Sequence, residues 1–456
     1  MKLRLIIPLW LCVCAAAVAV LWLPHQRAEA APPDTGEARP AELQQLIDGT
    51  PSGGLLRLPA GSYEGPAVIT RPIVIEGQSG AVVRNKEGSG KPAITVRADD
   101  VSLKGLQIEQ DGEGASSETS AVLVQGSGAW LHSLDIRTDA FGILLRDTGH
   151  NRIENNSVVR TGSEAAKLSE RRNGIDLFNA HDNVISGNRV SSMNDGIYLE
   201  SSHRNKVEAN SVEHSRYGIH CMYTKGTFVR GNTGMYNITG AMIMGVKEAE
   251  VTGNSFTKQS ESVNSQGLLF FDVHNSKVTG NKVEGNRVGL YVEQSGSNEF
   301  TNNDVLQNFV GVQFLESENN RFTGNRFIGN VIEAEANESE SNAFSGNFWE
   351  AFRGLDSDGD GTSELSYALN PFFQRLTGAV PAYQLFFQSP GMQFLEGMYA
   401  SDREGWTKDE APLMKPGTGP EQKPLSGAAG NTTLVFGLLL LLASVSTIYY
   451  VGVRRG

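Results

Sequence analysis

Between Gly218 and Met244 the chain concentrates donors for a soft metal ion. The stretch opens G-I-H-C-M-Y-T and, 22 residues on, reads G-A-M-I-M. It holds His220, Met222, Met242 and Met244, with Cys221 among them. Imidazole and thioether groups suit Cu(I) and do not suit Ca²⁺ or Mg²⁺. Strand alternation counted from each glycine turns those four side chains to one outer surface and Cys221 inward. On two stacked strands they form a square, with edges of about 4.8 Å between strands and about 7 Å along a strand. Two readings stand at this level. The square is a copper site, or its methionines are adaptable apolar filler. Cys221, facing inward, reads as an inert buried thiol.

A second donor set lies near the C-terminus. Asp356, Asp358 and Asp360 alternate before Gly361, and Glu364 follows. Carboxylates at alternate positions with a glycine to turn the chain can enclose Ca²⁺ in oxygen. The acid at the twelfth position of a full EF-hand is missing, and no helix pair flanks the loop. An acidic surface turn is the other reading.

The elements that position these groups are written as a repeat. Glycine opens an apolar strand at positions 142, 174, 196, 218, 240, 267, 289 and 311. Asparagine recurs at 156, 188, 210, 232, 254, 281, 303, 325 and 347. Both series step by 22, apart from one step of 32 and one of 27 that mark insertions around Gly162–Arg172 and Lys258–Gln266. A 22-residue unit of short strands is one coil of a parallel β-helix, here expected to be right-handed. Coils stack like on like, so the asparagines can form an internal amide ladder. Glycine suits a tight bend before each strand. The fold class is all-β, with the β-helix over residues 50–350. An N-terminal helical cap over 31–49 presents Leu43, Leu46 and Ile47 on one face, because the first coil has no neighbour.

The ends speak of export and a membrane. Lys2 and Arg4 precede an apolar run from Leu5 to Leu23, and Ala28-Glu29-Ala30 fits a cleavage site. Residues 1–30 read as a secretory signal or an uncleaved N-terminal anchor. Cys12 and Cys14 lie within it, so Cys221 has no disulfide partner. Residues 351–410 close the second end and carry the calcium-like loop and a helical segment. That helix starts at Ser389-Pro390 and has an apolar face of Phe394, Leu395, Met398 and Tyr399. Its face either packs back on the β-helix or meets a membrane partner. A Pro/Gly-rich linker over 411–430 leads to an uncharged span, Thr433 to Val453, long enough to be a transmembrane helix. Arg454 and Arg455 follow, which puts the C-terminus in the cytoplasm and the body on the outer face of the cytoplasmic membrane.

Two outward columns run along the sheet that bears the square. One reads Leu144, Asp176, Tyr198, His220, Met242, Leu269, Tyr291, Gln313; the other reads Arg146, Phe178, Glu200, Met222, Met244, Phe271, Glu293, Leu315. Phe178, Tyr198, Leu269 and Phe271 surround the square and form a docking patch for a partner. The balance of 39 basic and 51 acidic residues, net −12, argues against a nucleic-acid partner. β-Helices that cut or epimerise polysaccharides carry outward acids with Lys, Arg or His in a groove. Here Asp176, Glu200 and Glu293 are scattered over separate coils. A binding protein without catalysis fits better than an enzyme, with a polysaccharide-binding or polysaccharide-modifying β-helix, of lyase or epimerase type, as the alternative.

The motifs G-I-H-C-M-Y-T, G-A-M-I-M and G-L-L-F-F resemble those of the NosD family, exported β-helical maturation factors for nitrous oxide reductase. L-P-A-G-S-Y-E-G near the start, G-L-D-S-D-G-D-G-T near the end and the Ser389-Pro390 helix extend the resemblance over most of the exported chain. The resemblance implies an accessory role in building the copper–sulfide centre of the reductase. It implies partnership with the membrane and ATPase subunits of an ABC transporter, a copper chaperone and the apo-reductase, with copper carried transiently; the calcium read from the Asp356–Glu364 loop would be structural. The family is typically soluble in the periplasm, so the C-terminal anchor of this chain is a departure from it.

Overall fold

The computed structural model describes residues 41–417, excepting 86–87, 89, 113–115, 164–165, 260–261, 263–264, 338, 340 and, within 370–406, all but 372, 376, 380, 383, 391, 394, 395, 398 and 399. The chain divides into two compact units, Met1–Pro40 and Ala41–Gly456, and every described residue lies in the second. The expected signal and transmembrane segments fall outside the described residues. Among those described, no helix is long and apolar enough to cross a membrane.

Short strands recur in triplets, and each triplet is one coil. Among the described residues they assemble into three long sheets of 14, 12 and 15 strands. Neighbours in each sheet are corresponding strands of successive coils, paired in parallel. One antiparallel exception, Tyr367–Ala368 against Lys408–Asp409, lies at the C-terminal end. Inward residues form one continuous apolar core, from Leu43 and Ile47 of the helix Leu43–Asp48 to Trp349. That helix is tied to the first coils by Gln44, which exchanges bonds with the Val68 backbone at 2.7 and 3.3 Å, and by Arg71, which donates to the carbonyls of Ile47, Asp48 and Thr50.

The asparagine ladder is continuous. From Asn156 to Asn325 each Nδ2 donates to the Oδ1 of the next rung at 2.8–3.0 Å. Each rung's backbone N–H donates to the same Oδ1, so one amide satisfies two donors of the preceding turn. Shorter ladders absent from the sequence reading run through Asn151, Asn183 and Asn205, through Asn286, Asn308 and Asn330, and through Asn298, Asn320 and Asn342. The main ladder ends on a carboxylate. Asp409, fully buried, accepts from Asn347 Nδ2 at 2.9 Å and from Trp349 Nε1 at 3.0 Å. The start of the expected linker is bonded to this end as well: Leu413 N donates to Asn347 O and Met414 N to Gly361 O, both at 2.9 Å.

The glycine column has a different cause from the expected bend. Gly196 and Gly218 lie inside strands Asp195–Glu200 and Tyr217–Met222. A Cβ on Gly174 would stand 2.6 Å from the carbonyl oxygen of Gly196, and one on Gly196 would stand 2.7 Å from that of Gly218. Close backbone stacking of successive coils excludes a side chain there.

Candidate functional site

The register places the two outward columns side by side, as the alternation implies. Tyr198, His220, Met242 and Leu269 are successive partners, as are Glu200, Met222, Met244 and Phe271. The four soft donors therefore sit on two adjacent strands, Tyr217–Met222 and Thr239–Lys247. Cys221 points into the core, and burial pushes its thiol up to about 12. The columns are not uniformly exposed. Leu144, Asp176 and His220 are buried, Met222, Met242 and Met244 are half-buried, and Phe178 is exposed.

His220 is held from behind by two residues that the column count passed over. Its Nδ1 lies 2.9 Å from Asp195 Oδ2. Arg216 grips the same carboxylate in a fork, Nε to Oδ1 and Nη2 to Oδ2, both 2.9 Å. Burial acts to raise the Asp195 pKa, but the bonds from His220 and Arg216 outweigh it and hold the carboxyl below its ordinary range. An ionised carboxylate can only accept, so Nδ1 carries the imidazole proton. In the neutral ring, Nε2 then presents a lone pair. Nε2 is buried and has no hydrogen-bond partner among the described residues. The rings of Tyr198 and Tyr217 flank the imidazole, each with its centroid 4.9 Å away. The Tyr198 hydroxyl donates to Glu200 Oε2 at 2.8 Å and stands 3.9 Å from the Met222 sulfur.

An ionic network continues towards the N-terminal coils. Arg146 Nη1 donates to Asp176 Oδ1 at 2.7 Å and Asn173 Nδ2 to Oδ2 at 2.8 Å. Burial nevertheless lifts the Asp176 pKa above its usual range. Asp195 adds an acid near Asp176, and its charge adds to that lift. Asp195 escaped the column count because it sits just before the glycine and reaches diagonally to the next coil. Its signal was the charge in N-D-G-I-Y, where the neighbouring coil has R-Y-G-I-H.

At the C-terminal loop, Asp356, Asp358 and Glu364 each bring a carboxylate oxygen to within 4.8 Å of the others. Asp360 is not in that group; its Oδ1 accepts the Thr362 N–H at 2.7 Å, which turns it to its own backbone. Of the face expected for the C-terminal helical segment, Phe394, Leu395 and Met398 are 68%, 50% and 64% exposed.

The comparisons with known proteins meet on these coils. The family model described as periplasmic copper-binding protein (NosD) matches residues 161–354, and that of the right handed beta helix region matches 72–234. A protein named probable ABC transporter binding protein NosD from Pseudomonas aeruginosa is 30% identical over 152 residues, 32% of this chain and 34% of that one. Its namesake from Stutzerimonas stutzeri is 29% identical over 178 residues, 39% of this chain and 37% of that one. The chain thus spans little more than a third of the length of these curated relatives. Among solved structures, the periplasmic alginate epimerase AlgG gives a TM-score of 0.51 at 14% identity, covering 66% of this chain and 81% of that one. The alginate lyase AlyF-OU02, in complex with G6, gives 0.53 at 13% identity with the same coverage. These two likenesses establish the right-handed β-helix and nothing of its chemistry. Residues 161–354, the coils that carry His220 and its methionines, are thus similar to the NosD family.

Proposed function

We propose that this chain is an exported accessory protein that handles Cu(I) during assembly of the copper–sulfide centre of nitrous oxide reductase, in partnership with a membrane ABC transporter. The observation that carries the proposal is the buried Nε2 of His220, without a hydrogen-bond partner among the described residues, whose Nδ1–H is committed to Asp195. A carboxylate behind a histidine fixes the tautomer and makes the outward nitrogen a better ligand. Met222, Met242 and Met244 then supply the soft thioethers beside it. The family description and the names of the relatives support both the copper and the transporter.

In this reading the protein performs no catalysis. Copper arrives from a chaperone, and apo-reductase and transporter subunits dock on the apolar rim of Phe178, Tyr198, Leu269 and Phe271 and on the exposed Phe394, Leu395 and Met398. The span Thr433 to Val453 keeps the body at the outer face of the cytoplasmic membrane. Ca²⁺ held by Asp356, Asp358 and Glu364 steadies the closing loop. Competition of the full chain against a Cu(I) chelator tests the core of this reading. Tight binding that His220→Ala abolishes supports it; equal binding by His220→Ala contradicts it.

The Asp195–His220 pair also favours a second reading. A histidine oriented by a buried carboxylate is a competent general base, so a polysaccharide lyase or epimerase remains the alternative. Turnover of an acidic polysaccharide that is lost in His220→Ala and indifferent to copper chelation would select it.

A further inference from the structure

A second site lies away from the methionine face, at a corner of the coils. A cleft of about 720 Å³ opens between the inserted segment that follows Arg160 and the turns of three later coils. Those turns place Ser192, His214 and Tyr236 at equivalent positions 22 residues apart, each with φ near +60° (63°, 55° and 56°). The stacking of coils carries into the side chains. The His214 and Tyr236 rings are parallel to within 13°, with centroids 5.3 Å apart. The ladder of rings stops at Ser192, and the cleft occupies the space beside that small residue.

The opposite wall carries two arginines, one of them ion-paired. The Arg160 side chain is 6% exposed, donates to Asp139 at 2.7 Å and to Ser163 O at 2.8 Å, yet its buried Nε–H has no partner among the described residues. Arg171 also lines the cleft and ties the insertion to the coil: its Nη1 donates to Ser192 O at 3.2 Å, and its Nε and Nη2 donate to Ala166 O at 3.2 and 3.1 Å. Among the described residues no Asp or Glu lines it, in a chain of net charge −12. Thr161, Ser192 and Ser215 add hydroxyl groups to the lining. A flat ring edge, two guanidinium groups and three hydroxyls suit a polar ring bearing an oxyanion. Guanidinium groups bind carboxylate and phosphate strongly, and a buried N–H without a partner is costly unless a ligand or solvent meets it.

We infer that this cleft binds a monosaccharide-sized sugar carrying a carboxylate or phosphate, with the sugar ring continuing the His214–Tyr236 stack over Ser192 and the anion on Arg160 and Arg171. Copper is not involved, so the inference stands independently of the methionine face.

Calorimetric titration of the full chain with glucuronate, glucose 6-phosphate and glucose tests it, and the two anions distinguish carboxylate from phosphate. The expected result is that at least one anion binds roughly tenfold or more tighter than glucose, and that His214→Ser and Arg160→Gln each weaken it about tenfold. Arg160→Gln also removes bonds to Asp139 and Ser163; His214→Ser, a surface change with unchanged melting, is the variant that decides. Equal binding of glucose and both anions, binding unaffected by His214→Ser, or no binding of any of the three at millimolar concentration, as for a cleft filled by solvent alone, overturns the inference.

Discussion

Asp195 on one coil and His220 on the next are joined by a 2.9 Å hydrogen bond that crosses the sheet diagonally, and Arg216 locks the carboxylate from its other side. The bond decides which imidazole nitrogen is free, and so what the methionine face can do. Asp195→Asn keeps shape while replacing an anion by a neutral amide. Cu(I) affinity is expected to fall by about 10- to 100-fold, the usual cost of losing such a partner. Chelator competition measures it. Unchanged affinity would show that the orientation of His220 is not used.

Asn232 is a rung whose loss should be felt throughout the coil stack. It accepts from the backbone N–H and Nδ2 of Asn210 at 2.9 and 3.0 Å, and donates to Val207 O and Asn254 Oδ1 at 2.8 and 2.9 Å. Asn232→Ala leaves several buried groups unsatisfied at once. The expected loss is about 3 kcal/mol of stability, read by denaturant unfolding. A change under about 1 kcal/mol would mean that the ladder is geometrically regular but energetically idle.

Glu335 extends the first outward column beyond Gln313 and is 6% exposed. Burial lifts its pKa to about 7, against the opposing charge of Arg287. The folded chain then holds a proton that the unfolded chain releases near pH 4.3. Stability therefore falls as pH rises from about 4 to 7 and stays lower above that window. Glu335→Gln should melt higher than the parent at pH 8, by a few kcal/mol at most, and equally at pH 4. A variant that is less stable at pH 8 would show that the ionised carboxylate is paired and favourable.

The closing loop makes a prediction of its own. Asp356 accepts the N–H groups of Gly359 and Gly361 at 2.6 and 3.0 Å, which curls the turn around its carboxylate. If Ca²⁺ binds there, it stabilises the folded form alone. The parent should melt higher with calcium than with chelator, and Asp356→Ala with Asp358→Ala should erase that difference. Equal melting of the parent in both conditions rules the site out.

The coil, its register and the position of the four soft donors were legible because they are periodic. A step of 22 held over eight glycines and nine asparagines leaves little freedom in which strand meets which. What periodicity cannot reveal is a contact between unlike positions of neighbouring coils. Asp195, Arg216 and Arg146 belong to that class, and so does Asp409, which comes from 62 residues beyond Asn347 to end the ladder. The glycine spacing suggests a tight bend before each strand, whereas its cause is the approach of the next backbone. Asp360 fits the spacing of a calcium loop, but it spends its oxygen on the Thr362 amide. Alternation says which side of a strand a residue leaves by, and not whether another segment covers it. Leu144 and Asp176 leave by the outer side and are nonetheless buried.

The central claim is that His220 and its neighbouring methionines bind Cu(I), and X-ray absorption at the copper edge tests it most directly. The full chain loaded with one Cu(I) should show a single imidazole nitrogen together with two or three sulfur neighbours. In Met222→Leu with Met244→Leu, a change that keeps volume and apolar character, the protein should fold normally, lose sulfur from the spectrum and bind copper weakly. Copper surrounded by nitrogen and oxygen alone in the parent, or the same sulfur signal and affinity in the double variant, would contradict the claim.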